Sequence, residues 1–174
     1  DTLFYILLDI LFEENHYARI VSKPIKNDLL NTQGEDLEVV LPSVDCILGD
    51  KLTAFAPHTT GIPLGIGKEL EIIKQMYDVA ALIDVFDDFE DVYNSYMAIV
   101  ETEINYRGLD ISANEVLMDT IDTAACIAGR GQIGNEYPMY LAGIKSISTH
   151  IYDERYSAEK AVQSACKTMY LAAC

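Results

Sequence analysis

Leu37-Glu38-Val39-Val40-Leu41-Pro42-Ser43-Val44-Asp45-Cys46-Ile47-Leu48-Gly49-Asp50-Lys51-Leu52-Thr53-Ala54-Phe55 changes its period at Pro42-Ser43. Before that point a short β-rich run, Leu37 to Leu41, reads as a strand. From Ser43 onward the apolar residues recur at helical spacing, and Ser43 supplies the N-cap directly after Pro42. A chain that moves from strands to helices in this way belongs to the α+β class.

Upstream, Leu3-Phe4-Tyr5-Ile6-Leu7-Leu8-Asp9-Ile10-Leu11-Phe12 has one polar side chain in ten. So apolar a run reads as a strand covered on both faces. Burying the Asp9 carboxylate there without a partner would cost several kcal/mol or more, roughly, so the residue implies a metal ion or a cation beside it. His16 to Ile25 is a second expected strand, with Tyr17, Ile20 and Val21 as its apolar positions. Asn27 to Asp36 reads as a turn or loop, and Ala56 to Gly67, with two prolines and three glycines, as an ordered loop.

The remainder is helical. Helices are expected near 68–86, 88–106, 113–129, 138–153 and 157–172. Ser112 and Glu115 form a capping box, Pro138 suits a first helical turn, and Ser157 can cap the last helix. Amphipathic stripes run through Leu117, Ile121, Ala124 and Ala128, through Leu141, Ile144, Ile147 and Ile151, and more thinly through Val162, Ala165 and Met169. The expected architecture is a small mixed sheet with packed helices over 1–86, followed by a helical bundle over 87–174. No internal repeat is present.

Composition narrows the function. Half of the 174 residues are hydrophobic, as a globular chain requires. No apolar run approaches the roughly 18 residues of a membrane span. The net charge of −16, from 28 acids and 12 bases, repels phosphate backbones and argues against nonspecific nucleic-acid binding by this segment. It also argues, with the lack of a basic recognition helix, against a transcriptional regulator. Cys46, Cys126, Cys166 and Cys174 share no disulfide or metal spacing and read as reduced thiols of a cytoplasmic protein. The chain opens at Asp1 and is apolar by Leu3, which reads as the later portion of something longer.

Lys51 falls near the middle of the stripe Val44, Ile47, Leu48, Leu52 and Phe55 when residues are spaced at about 100°. Two accounts stand: its stem snorkels over the core, or its ammonium is held to meet an anion such as a phosphate or Asp9. Lys74 and Asp78 lie one turn apart and share a face with Glu71 and Gln75, which a solvated stripe also explains. Gly129-Arg130-Gly131-Gln132-Ile133-Gly134 matches the dinucleotide fingerprint but follows a helix, so it reads as a helix stop and turn. Asp87-Asp88-Phe89-Glu90-Asp91 is assigned to helix capping. His16, His58 and His150 show no acid–base or zinc pattern and read as ordinary residues.

Three of these segments together carry a resemblance. Leu41-Pro42-Ser43 with Gly49-Asp50-Lys51-Leu52-Thr53-Ala54-Phe55, then Lys74-Gln75-Met76-Tyr77-Asp78-Val79-Ala80-Ala81-Leu82, resemble the AbiE-type nucleotidyltransferase toxins of bacterial abortive-infection and toxin–antitoxin systems. Leu8-Asp9-Ile10 is similar to the strand on which that fold carries its third acid. The likeness spans roughly residues 3 to 107. It implies that Asp9 is a metal-binding or base carboxylate, that Lys51 meets the nucleotide phosphates, and that Lys74 and Asp78 complete the site. It further implies Mg2+ and a nucleoside triphosphate, transfer of a nucleotide to a hydroxyl acceptor and an antitoxin partner; the acceptor stays open among transfer RNA, another RNA and protein, an RNA being met through the missing part. Gln75 stands where the family carries an acid, and the family's Gly-Ser turn with paired acids is missing from the sequence before Asp9. The expectation is therefore a later part of such an enzyme, inactive alone. The competing expectation is an acidic helical interaction module in which Asp9 and Lys51 merely pair.

Overall fold

A computed structural model describes residues 8, 10, 12, 14–27, 31, 33–151 and 155–174. Asp9, on which much of the sequence reading turns, lies outside the described residues. Among them the order is β1 (Ile20–Pro24), β2 (Glu38–Pro42), α1 (Val44–Ala54), α2 (Glu69–Ile83), α3 (Phe89–Arg107), α4 (Ala113–Ala128), α5 (Tyr137–Ile147) and α6 (Ala158–Ala173). The α+β class follows directly. No helix among the described residues is long and apolar enough to cross a membrane.

β1 and β2 pair antiparallel, with Ile20 opposite Pro42 and Pro24 opposite Glu38. The first strand is shorter than the run His16 to Ile25 suggests. Residues 17–19 are taken up by polar attachments instead: Tyr17 Oη donates to Asp50 (3.0 Å), the Ala18 amide to Ser95 Oγ (3.1 Å), and the Arg19 amide to Cys46 Sγ (3.2 Å).

Local signals set the helix starts. Ser43 Oγ accepts from the Cys46 amide, Asp88 from the Glu90 amide and Ser157 from the Lys160 amide. Ser112 and Glu115 form the reciprocal capping box, and Pro138 occupies the first turn of α5. Each satisfies amides that the helix cannot. The glycine-rich segment after α4 is a turn, with Gly131 and Gly134 at φ of 86° and 70°.

α5 ends at Ile147, short of the expected 153. Ser148 and Thr149 hydroxyls donate to the carbonyls of Lys145 and Ser146, competing with the helical ladder. The buried face of α4 is also rotated from the expected stripe. Val116, Asp119, Thr120, Thr123, Ala124, Cys126 and Ile127 are buried, while Leu117, Ile121 and Ala128 are only partly so. Polar side chains can occupy that face because each finds a partner. Thr120 Oγ1, for example, donates to the Phe55 carbonyl at 3.0 Å. On α5 the buried set is Tyr140, Gly143, Ile144 and Ile147, with Leu141 half-buried.

Two apolar clusters hold the helices. One gathers Phe55, Ile72, Ile73, Met76, Ile127 and Tyr140; the other Leu48, Leu52, Val79, Val92, Val100 and Val116. Each contains residues from both sides of Phe86. Close approach is decided by two glycines. A Cβ at Gly49 would meet the Val92 carbonyl oxygen at 2.5 Å, and one at Gly143 would meet the Glu69 carbonyl carbon at 2.7 Å. The pairs α1–α3 and α2–α5 therefore pack backbone against backbone.

Candidate functional site: the seam between α1 and α2

Lys51 sits in the last turn of α1, where the helix dipole favours a cation. Its neighbours Leu48, Leu52 and Phe55 are buried, and the Lys51 side chain itself is 31% exposed. The ammonium meets an anion other than the two that the sequence reading names, a phosphate or Asp9. That anion is Asp78 on α2: Lys51 Nζ lies 3.0 Å from Asp78 Oδ2 and 3.2 Å from Gln75 Oε1. Gln75 thus serves as an acceptor for Lys51 at the position where the resemblance leads one to look for an acid.

Lys74 lies on the same helix but turns to Glu71, at 3.0 Å. The structure therefore joins Lys51 to Asp78, and it gives Lys74 a separate partner. These pairs are one-third to two-fifths exposed, so each contributes at most about 1 kcal/mol. They can exchange partners with an incoming anion at small cost.

Two charged clusters were not legible as sites in the sequence. At the N-terminal end of α1, the Asp45 side chain is 3% exposed. Its Oδ1 accepts from the Asp87 amide (2.8 Å) and the Asp88 amide (3.3 Å), and its Oδ2 from Arg19 Nη2 (2.5 Å). Burial alone would push the carboxyl up; those amides and the Arg19 charge outweigh it and hold the pKa below the usual carboxylate range. Arg19 Nε also lies 2.9 Å from Asp91, an ion pair without hydrogen-bond alignment. An acid in a first turn is what any helix favours, and that default hid Asp45.

The second cluster surrounds His58, in the connection between α1 and α2. His58 Nδ1 is 2.7 Å from Asp119 Oδ1 on α4, and Nε2 is 3.1 Å from both oxygens of Glu136. Burial works against the imidazolium, but the two carboxylates prevail and raise the His58 pKa above 6.5. His58 is therefore not the ordinary residue its sequence spacing implied. The sequence offered no signal for it, since Asp119 lies off the stripe of Leu117, Ile121, Ala124 and Ala128 and is buried only because the face of α4 is rotated.

Among the described residues no three His, Cys, Asp or Glu side chains converge as metal ligands. The chain matches no protein-family model, no curated protein and no solved structure.

Proposed function

We propose that the α1–α2 seam is the nucleotide-binding half of a nucleotidyltransferase-like site. The observation that carries this reading is Lys51, a cation placed in an apolar stripe and held, among the described residues, by the exchangeable partners Asp78 and Gln75. A triphosphate oxygen can replace Asp78 against Lys51 with little loss, because both groups already reach water. Lys74 on α2 offers a second cation, loosely tied to Glu71. Positioning and charge neutralisation are the main demands of phosphoryl chemistry, and two lysines on adjacent helices meet them.

The resemblance implies Mg2+ as well, which would activate the attacking oxygen and neutralise the leaving pyrophosphate. The described residues provide no ligand set for it. What the two lysines of these 174 residues support is triphosphate binding; RNA and antitoxin partners follow from the family likeness alone.

Titration of the full chain with a nucleoside triphosphate and Mg2+ by calorimetry tests it. Saturable binding, weakened at least about tenfold in Lys51→Met and Lys74→Met, is expected for lost charge-assisted contacts. Equal heats for wild type and both variants would remove the proposal. The second reading, an acidic interaction module, draws on the neutralisation of both lysines by Asp78 and Glu71. It expects Lys51→Met and Asp78→Asn each to destabilise and the pair together to recover, with no triphosphate binding.

A further inference from the structure

The Asp119 carboxylate is 5% exposed and receives four donors. The His58 amide (2.8 Å) and Thr59 Oγ1 (2.8 Å) reach Oδ2, while His58 Nδ1 (2.7 Å) and Thr123 Oγ1 (3.3 Å) reach Oδ1. Across the ring, Nε2 faces Glu136, the residue that precedes α5. Ionised carboxylates only accept, and a neutral imidazole carries one N–H. Both contacts are satisfied together only when both ring nitrogens are protonated. A single proton therefore joins the α1–α2 connection, α4 and the turn that leads into α5.

We infer that His58 is a proton-operated clasp: charged, it bridges Asp119 and Glu136; neutral, it keeps Asp119 and releases Glu136 with the turn at 129–136. The order of release follows from the surroundings. Asp119 is buried with three further donors, so the remaining N–H stays on Nδ1. The Glu136 side chain is 35% exposed and water takes over its solvation. The other charged groups on these segments include Lys68 in the α1–α2 connection, Arg107 of α3, whose Nη1 reaches the Gly61 carbonyl at 3.2 Å, and Arg130 in the turn, paired with Glu159 of α6. Cys126 of α4 and Tyr140 of α5 lie near the two carboxylates; burial pushes both groups up, so they stay neutral while His58 titrates.

Because the folded pKa of His58 lies above 6.5, the clasp is fully closed below pH 6.5. Its stabilisation is lost as pH rises through the folded value. The turn it holds contains Arg130 at a φ of 49° and two left-handed glycines, and the ion pair of Arg130 Nη1 with Glu159 of α6 (3.2 Å) is its tether when Glu136 is released.

The test is a pH titration of the 15N-labelled full chain by NMR, from about pH 5 to about pH 9, the span over which histidines exchange their proton. Long-range correlations report each ring nitrogen of His58. The expected result is a doubly protonated ring at the acid end of the titration, a midpoint above 6.5, and loss of the proton from Nε2. Amide shifts of residues 130–137 should follow the same midpoint, while those around Asp119 hold still. Glu136→Gln should move the His58 midpoint down and uncouple the turn from it. A midpoint at or below 6.5, proton loss from Nδ1, or turn amides indifferent to His58 would each overturn the clasp, and the wild-type titration suffices to decide.

Discussion

Replacing Asp45 by alanine removes the acceptor of two backbone amides and of one guanidinium nitrogen at once. The amides belong to Asp87 and Asp88, immediately before α3, and their bonds to a buried carboxylate are charge-assisted. Such bonds contribute roughly 1.5–3 kcal/mol each, with the 3.3 Å bond to Asp88 toward the low end. The Arg19 side chain is 48% exposed, so its pairing adds less than about 1 kcal/mol. Allowing for water reaching the freed amides, Asp45→Ala should lose about 3 kcal/mol. Asp45→Asn retains a carbonyl oxygen for both amides but forfeits the charge and turns an NH2 donor toward Arg19, so about 1–2 kcal/mol is expected. Urea unfolding near neutral pH, with slopes compared to confirm like transitions, measures both. The Asp45 pKa is lower in the folded chain than the ordinary 3.8, so its contribution is complete above pH 3.8 and fades as pH falls through the folded value. The gap between wild type and Asp45→Asn should close over that acid range. Equal losses for Asn and Ala, or an Ala variant within about 0.5 kcal/mol of wild type, would refute the assignment of Asp45 as the anchor of the α3 start.

Two further outcomes concern packing and capping. Gly143→Ala forces a methyl against the Glu69 backbone and Ile73, and overpacking of this kind costs about 1–3 kcal/mol; an unchanged thermal midpoint would contradict the backbone-to-backbone contact of α2 and α5. Ser112→Ala removes the cap of α4 and should cost about 1 kcal/mol, read as faster amide exchange at residues 113–116; identical exchange would mean the cap contributes nothing.

What the sequence made legible was short-range. Ser43, Ser112 and Ser157 announced their helices because a cap acts within three residues. Lys51 announced itself because a charge among Leu48, Leu52 and Phe55 breaks a pattern that needs no partner to be visible. The rest depended on partners far along the chain. Asp119 lies 61 positions from His58, and Glu136 lies 78, so neither His58 nor the rotated face of α4 could be read from spacing. α5 stopped early through serine and threonine hydroxyls whose competition with the helix is decided by geometry, not by apolar period.

The hairpin joins the helices in a different currency from the one that joins the helices to each other. Among the described residues, neither apolar cluster includes a position of β1 or β2, whereas residues 17–19 reach the helices through hydroxyl, amide, thiol and guanidinium atoms. Detachment of the two strands would therefore expose little oil to water and carry little heat capacity. Warming and ionic strength should act on that junction by separate rules: heat dissolves the helical body, and salt loosens its ribbon.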